Sequence, residues 1–176
     1  MNPPPEWQNA AKHKANAILM EVFFDCPLKA PVPIDEIIEA YVGDVQIVVS
    51  FDSIFPEGVS AITSKDMYRG WLIIINGREP VYRQRFSLAH ELGHITVLPH
   101  QRLKEYCSDR SDDWVEKLCD RFAGDILMPD MLLRRMYRTT PVPHLDYVAT
   151  YFKVSRQVAE IQLKRRGFSF TVGAPF

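Results

Sequence analysis

The sequence predicts an α+β fold, mostly helical, with a small sheet of about three strands and a helical hairpin at its C-terminal end. Three observations point there. Apolar residues recur at helical spacing before residue 41 and again after residue 81. Between those regions lie Val- and Ile-rich runs, and Pro or Gly stands at most points where the pattern changes. A chain of 176 residues can bury a core of its own.

The first helix is expected from about Glu6, after three prolines that suit a helix start, with Ala11, Ala15, Ile18, Leu19, Val22 and Phe23 on its buried face. A connector over 29–32 leads to a short helix from Pro33 to Tyr41, closed by Gly43. Val45 to Phe51, Val59 to Thr63 and Trp71 to Ile75 read as strands, and Asn76-Gly77 as a turn. One long helix should run from Val81 to Leu98 and stop at Pro99. The next begins at Ser111, with Asp112 and Asp113 complementing its dipole, and ends near Leu127, before Pro129. Asp130 to Tyr137, His144 to Phe152 and Ser155 to Arg166 complete the set, with Gly167 past the last.

No apolar run is long enough to span a bilayer, and the first ten residues lack the basic-then-apolar order of a secretory leader. Cys26, Cys107 and Cys119 are an odd, scattered set without a CxxC pair, which speaks against a disulfide framework and for a reducing cytoplasm. Cys26 and Cys119 read as small buried hydrophobes. Charge is uneven: residues 131–176 carry eight Lys or Arg against two acidic residues, a net +6 that leaves −7 elsewhere. A core over 1–130 and a basic helical subdomain over 131–176, packed on it, are therefore expected. A basic tail can face an anionic partner such as nucleic acid, although a solvated helical face is the plainer reading.

His90, Glu91 and His94 carry the chemistry. Two histidines four apart on a helix project from one face, which suits two imidazole nitrogens on one tetrahedral zinc ion. Glu91 then stands beside the open coordination position as general base, the HExxH arrangement. Gly93 costs the helix roughly 1 kcal/mol relative to alanine, so close packing near the metal should offset it. Glu116, on the next helix, is the leading third ligand, ahead of Cys107, His100, Asp112 and Asp113. Asp120, one turn on, can accept the second ring N–H of a ligating histidine. Two core histidines and a pair of surface carboxylates would be the uneventful explanation of the same residues.

The run Arg83-Gln84-Arg85-Phe86-Ser87-Leu88-Ala89-His90-Glu91-Leu92-Gly93-His94 closely resembles the signature of the ImmA/IrrE family of metallopeptidases. So does Glu116-Lys117-Leu118-Cys119-Asp120-Arg121-Phe122-Ala123, followed by Leu127-Met128-Pro129. The likeness extends to Pro31-Val32-Pro33-Ile34 and to Phe152-Lys153-Val154-Ser155. It implies a minimal gluzincin-like zincin fold, His90, His94 and Glu116 as ligands of Zn2+, and Glu91 as base. The family often has Ala-Asn where this chain has Cys119-Asp120, and the histidine common soon after the motif falls here at His100, behind a proline. Many relatives also carry an N-terminal helix-turn-helix domain, which these 176 residues are not expected to include.

The resemblance further implies a cytoplasmic endopeptidase that cuts a helix-turn-helix repressor at one site, relieving repression of a mobile element or a stress response. Tyr106, Arg121 and His144 are candidates for a second oxyanion donor. Two other readings compete. Residues 148–163 have helix-turn-helix spacing and could bind DNA, although Lys153 stands where such turns often have glycine. Alternatively the metal stabilises an anti-repressor that acts by occlusion, without catalysis.

Overall fold

The structure, a computed structural model, describes residues 3–52, 55–97 and 113–173. Among them the chain forms α1 (Pro5–Val22), α2 (Ile34–Val42), β1 (Val45–Ser50), β2 (Ala61–Asp66), β3 (Gly70–Asn76), α3 (Val81–Thr96), α4 (Asp113–Leu127), α5 (Asp130–Thr139), α6 (Leu145–Phe152) and α7 (Arg156–Arg165). The fold is α+β, as the pattern of periods predicts.

β3 is the central strand because its Trp-Leu-Ile-Ile-Ile run can be buried along its length. It pairs in parallel with β1 and antiparallel with β2, bringing Ile47 and Thr63 to either side of Ile73. β2 runs three residues further than its apolar pattern suggests. The added residues, Ser64-Lys65-Asp66, are exposed and lack strand propensity, but they pair with Leu72, Trp71 and Gly70. The turn holds them: Asp66 Oδ1 accepts from the backbone N–H groups of Tyr68 and Arg69, at 2.8 and 2.9 Å.

α4 packs against both α1 and α3, with Leu118, Phe122, Ile126 and Leu127 fully buried. Trp7 of α1 meets Trp114 of α4 edge to face, ring centroids 6.1 Å apart. The buried face of α1, Ala11, Ala15, Ile18 and Leu19, is the one its spacing predicts. Cys119 is buried as expected, but Cys26 is exposed. It lies in the turn after α1, beside the exposed Phe24, where the chain has left the helix and has no layer to pack under. Leu98 and Pro99, the expected end of the metal-site helix, fall outside the described residues.

Helices α5, α6 and α7 add Leu133, Val148, Phe152 and Leu163 to the same apolar cluster as the sheet and α4. A buried ion network reinforces the join. Asp125, 1% exposed, accepts from Arg165 Nη2 and, at 2.6 Å, from Arg166 Nη2. Arg166 Nε stands 2.7 Å from Asp130 Oδ1, and Lys12 of α1 donates to Asp130 Oδ2 at 2.8 Å. Two of the eight basic side chains counted in the tail are thus turned inward. His144 and Ser155 cap α6 and α7 by accepting from the N–H groups of Asp146 and Val158. No helix among the described residues is long and apolar enough to cross a membrane.

Candidate metal centre

His90 and His94 project from α3 a turn apart, and Glu116 reaches across from α4. His90 Nε2 stands 3.0 Å from His94 Nε2 and 3.0 Å from Glu116 Oε2, while His94 Nε2 stands 3.2 Å from Glu116 Oε1. A tetrahedral zinc ion with bonds of about 2.0–2.1 Å spaces its ligand atoms about 3.3–3.4 Å apart. The two imidazole nitrogens lie within a few tenths of an ångström of such an edge, the two Glu116 oxygens each face one histidine, and one donor atom from each of the three residues lies within 4.8 Å of the others; a two-nitrogen, one-oxygen set suits zinc.

Asp120 Oδ1 is 2.9 Å from His90 Nδ1. The carboxylate can only accept, so Nδ1–H is the donor and the Nε2 lone pair is turned toward His94 and Glu116. This is the tautomer a metal ligand needs. Burial disfavours the charged imidazolium at His90, but the hydrogen bond it donates to Asp120 and the charges of Asp120, Glu116 and Glu91 outweigh it, holding the pKa above the ordinary histidine value. Three carboxylates around one imidazole make a site with strong affinity for positive charge.

The two helices can approach this closely because of Gly93. A Cβ there would lie 3.3 Å from Cys119 Cα and 3.2 Å from Phe122 Cδ1, tighter than ordinary contact. Cys119 and Gly93 thus set the separation of α3 and α4, and with it the reach of Glu116.

Glu91 lines the same cleft as His90, Glu116 and Asp120, a depression of about 1170 Å³. Its walls include Ser60 and Ala61 at the start of β2, Phe86 of α3, and Val158, Ile161 and Arg165 of α7. The part played by α7 is not legible in the sequence without tertiary contacts; the one hint is Ile161, an apolar residue that remains 52% exposed. Arg121 lines the cleft and donates to Gln8 Oε1. His144 does not line it: its ring sits at the start of α6, with Nδ1 3.3 Å from the backbone nitrogen of Asp146 and Nε2 3.1 Å from that of Gly173. Tyr106, Cys107, His100 and Asp112 lie outside the described residues, and of Asp113 only the backbone position at the start of α4 is described.

Residues 46–164 match the family model described as the IrrE N-terminal-like domain. The chain belongs to the ImmA/IrrE family of metallopeptidases. Family membership implies a metal, and the His90, His94 and Glu116 cluster supplies a place for one. Among its relatives, the radiation response metalloprotease IrrE of Deinococcus radiodurans is 34% identical over 94 residues, covering 45% of this chain and 29% of that protein. The metallopeptidase ImmA of Bacillus subtilis is 31% identical over 101 residues, covering 55% of this chain and 57% of that protein. A solved structure of a Mycobacterium tuberculosis transcriptional regulator superposes with a TM-score of 0.64 at 14% identity, over 92% of this chain and 47% of that one. That likeness is one of fold. The matched regions span well under two thirds of each relative's length.

Proposed function

We propose that the protein is a zinc-dependent endopeptidase of the cytoplasm, with His90, His94 and Glu116 as metal ligands, Glu91 as general base and Asp120 orienting His90. The observation that carries this is the convergence of two imidazole nitrogens, 3.0 Å apart, with the Glu116 carboxylate, whose two oxygens stand 3.0 and 3.2 Å from them, and with Glu91 in the same cleft. When bound, zinc supplies Lewis-acid chemistry, polarising a peptide carbonyl and acidifying water. Glu91 accepts the proton of the attacking water and delivers it to the departing amine nitrogen. Glu116 and Asp120 hold the two histidines in place, and the cleft walls align an extended peptide across them.

The substrate we favour is a helix-turn-helix repressor cut at one site. Support for it comes from the family resemblance; the relatives named as a radiation response metalloprotease and a metallopeptidase support a protein substrate. A cleft of about 1170 Å³, walled by α7 as well as by the metal helices, suits recognition of a defined segment rather than of any short peptide. We further propose that residues 131–176 form a C-terminal unit that shapes this cleft; engagement of Arg165 and Arg166 with Asp125 favours that role over DNA contact.

The test is the Glu91→Gln variant, loaded with zinc and incubated with a proteome-derived peptide library and with candidate repressors. It should bind zinc like the wild type and cut at least about 100-fold more slowly. Undiminished cleavage by the variant would show that Glu91 is not the base.

A further inference from the structure

The cleft has a second charged region beside the metal ligands. Arg121 of α4 and Arg165 of α7 both line it, and each keeps 22% of its side chain exposed. They belong to the network around Asp125 and Asp130, in which four cations (Lys12, Arg121, Arg165 and Arg166) face two carboxylates. Asp125 cannot neutralise the three arginines around it. Its Oδ1 accepts from Arg165 and Arg166, while Arg121 Nε stands 4.0 Å from Oδ2, and neither Arg121 Nε nor Asp125 Oδ2 has a hydrogen-bond partner among the described residues. Burial and the nearby charge of Arg165 both push the Arg121 pKa down, so the two guanidiniums sense each other.

We propose that Arg121 and Arg165 form an anion subsite of the cleft that takes the side-chain carboxylate of an aspartate or glutamate in the peptide substrate. The excess of positive charge next to an open cleft favours an anion, and guanidinium forks match a carboxylate. Gln162 points to a peptide as its carrier rather than a free anion. It lines the same cleft, is 3% exposed, and its Oε1 has no hydrogen-bond partner among the described residues. An acidic residue in a peptide brings both a carboxylate for the arginines and a backbone N–H for Gln162. The subsite thus deepens the endopeptidase reading, and in its substrate role it rests on it.

Two measurements on the full chain test the proposal. The first needs no turnover: side-chain 15Nε NMR of the arginines during titration with inorganic sulfate at constant ionic strength. Arg121 and Arg165 should shift together and saturably, and Arg121→Gln should weaken the binding roughly ten-fold. Absence of a saturable shift at either arginine overturns the subsite, whatever the enzyme does. The second is the cleavage-site profile of a peptide library. Acidic residues should be enriched at one fixed distance from the cut in wild type, and that enrichment should be lost among the cuts that Arg121→Gln still makes. Sulfate binding with cleavage that ignores acidic residues would overturn the substrate role and leave the endopeptidase intact. Sulfate binding with no cleavage by any zinc-loaded sample would overturn that role together with the endopeptidase reading. The milder Arg165→Lys variant guards against misfolding, since it keeps a cation beside Asp125; it should lower the acidic preference without abolishing it.

Discussion

Single residues at the centre divide into those that hold and those that aim. Asp120 aims: its hydrogen bond to His90 Nδ1 fixes which nitrogen carries the lone pair. Replacing it with alanine should lower zinc affinity by roughly 10- to 100-fold, as loss of such partners does elsewhere. A competition titration against a fluorescent chelator measures that directly; unchanged affinity would mean that His90 needs no partner. The HExxH spacing was legible from the sequence because it is local. Asp120 was legible because it repeats Glu116 one turn on. The exposure of Cys26 was not, since burial of a small residue depends on what lies across from it.

At the scale of elements, the sequence patterns located helices better than strands. The helices carry their own punctuation, such as Gly43, Ser155 and Gly167. β2 owes its last three residues to a partner strand and a turn, which no local apolar pattern records. The α6–α7 turn shows a compromise. Lys153 adopts a left-handed conformation, φ 50°, that glycine adopts without strain. Its carbonyl accepts from Arg85 Nε at 3.3 Å, and Arg85 Nη2 also donates to Val32 O at 2.6 Å, tying α3 to the start of α2 and to this turn. Lys153→Gly keeps the backbone contact and relieves the strain, so it should stabilise the fold by about 0.5–1 kcal/mol. Urea unfolding checks it; a loss of stability would mean that the lysine side chain contributes more than the strain it imposes.

For the whole molecule, the join between the N-terminal helices and the last three rests on one apolar cluster and one ion network. Asp130 is its outer carboxylate. Partial burial would raise its pKa, but the hydrogen bond from Lys12 and the charges of Arg166, Lys12 and Arg134 outweigh burial and hold it below the ordinary aspartate value. A depressed folded-state pKa means stability that is present above the unfolded value of about 3.9 and lost as pH falls through the folded one. The stability gap between wild type and Asp130→Asn should therefore be widest near neutral pH and close below about pH 4. A gap independent of pH, in urea melts across that range, would assign the effect to packing instead. The basic composition of the tail was legible; that part of it faces Asp125 and Asp130 was not, because ion pairs 40 residues apart leave no mark on local pattern.

The central claim is that α3 and α4 together hold one zinc ion. Metal content by mass spectrometry, on wild type and Glu116→Ala purified in parallel without chelators, tests it most directly. The account predicts one zinc per chain in wild type and its near-complete loss in the variant. Wild-type protein free of zinc even after added metal, or a variant that retains it fully, would contradict the account.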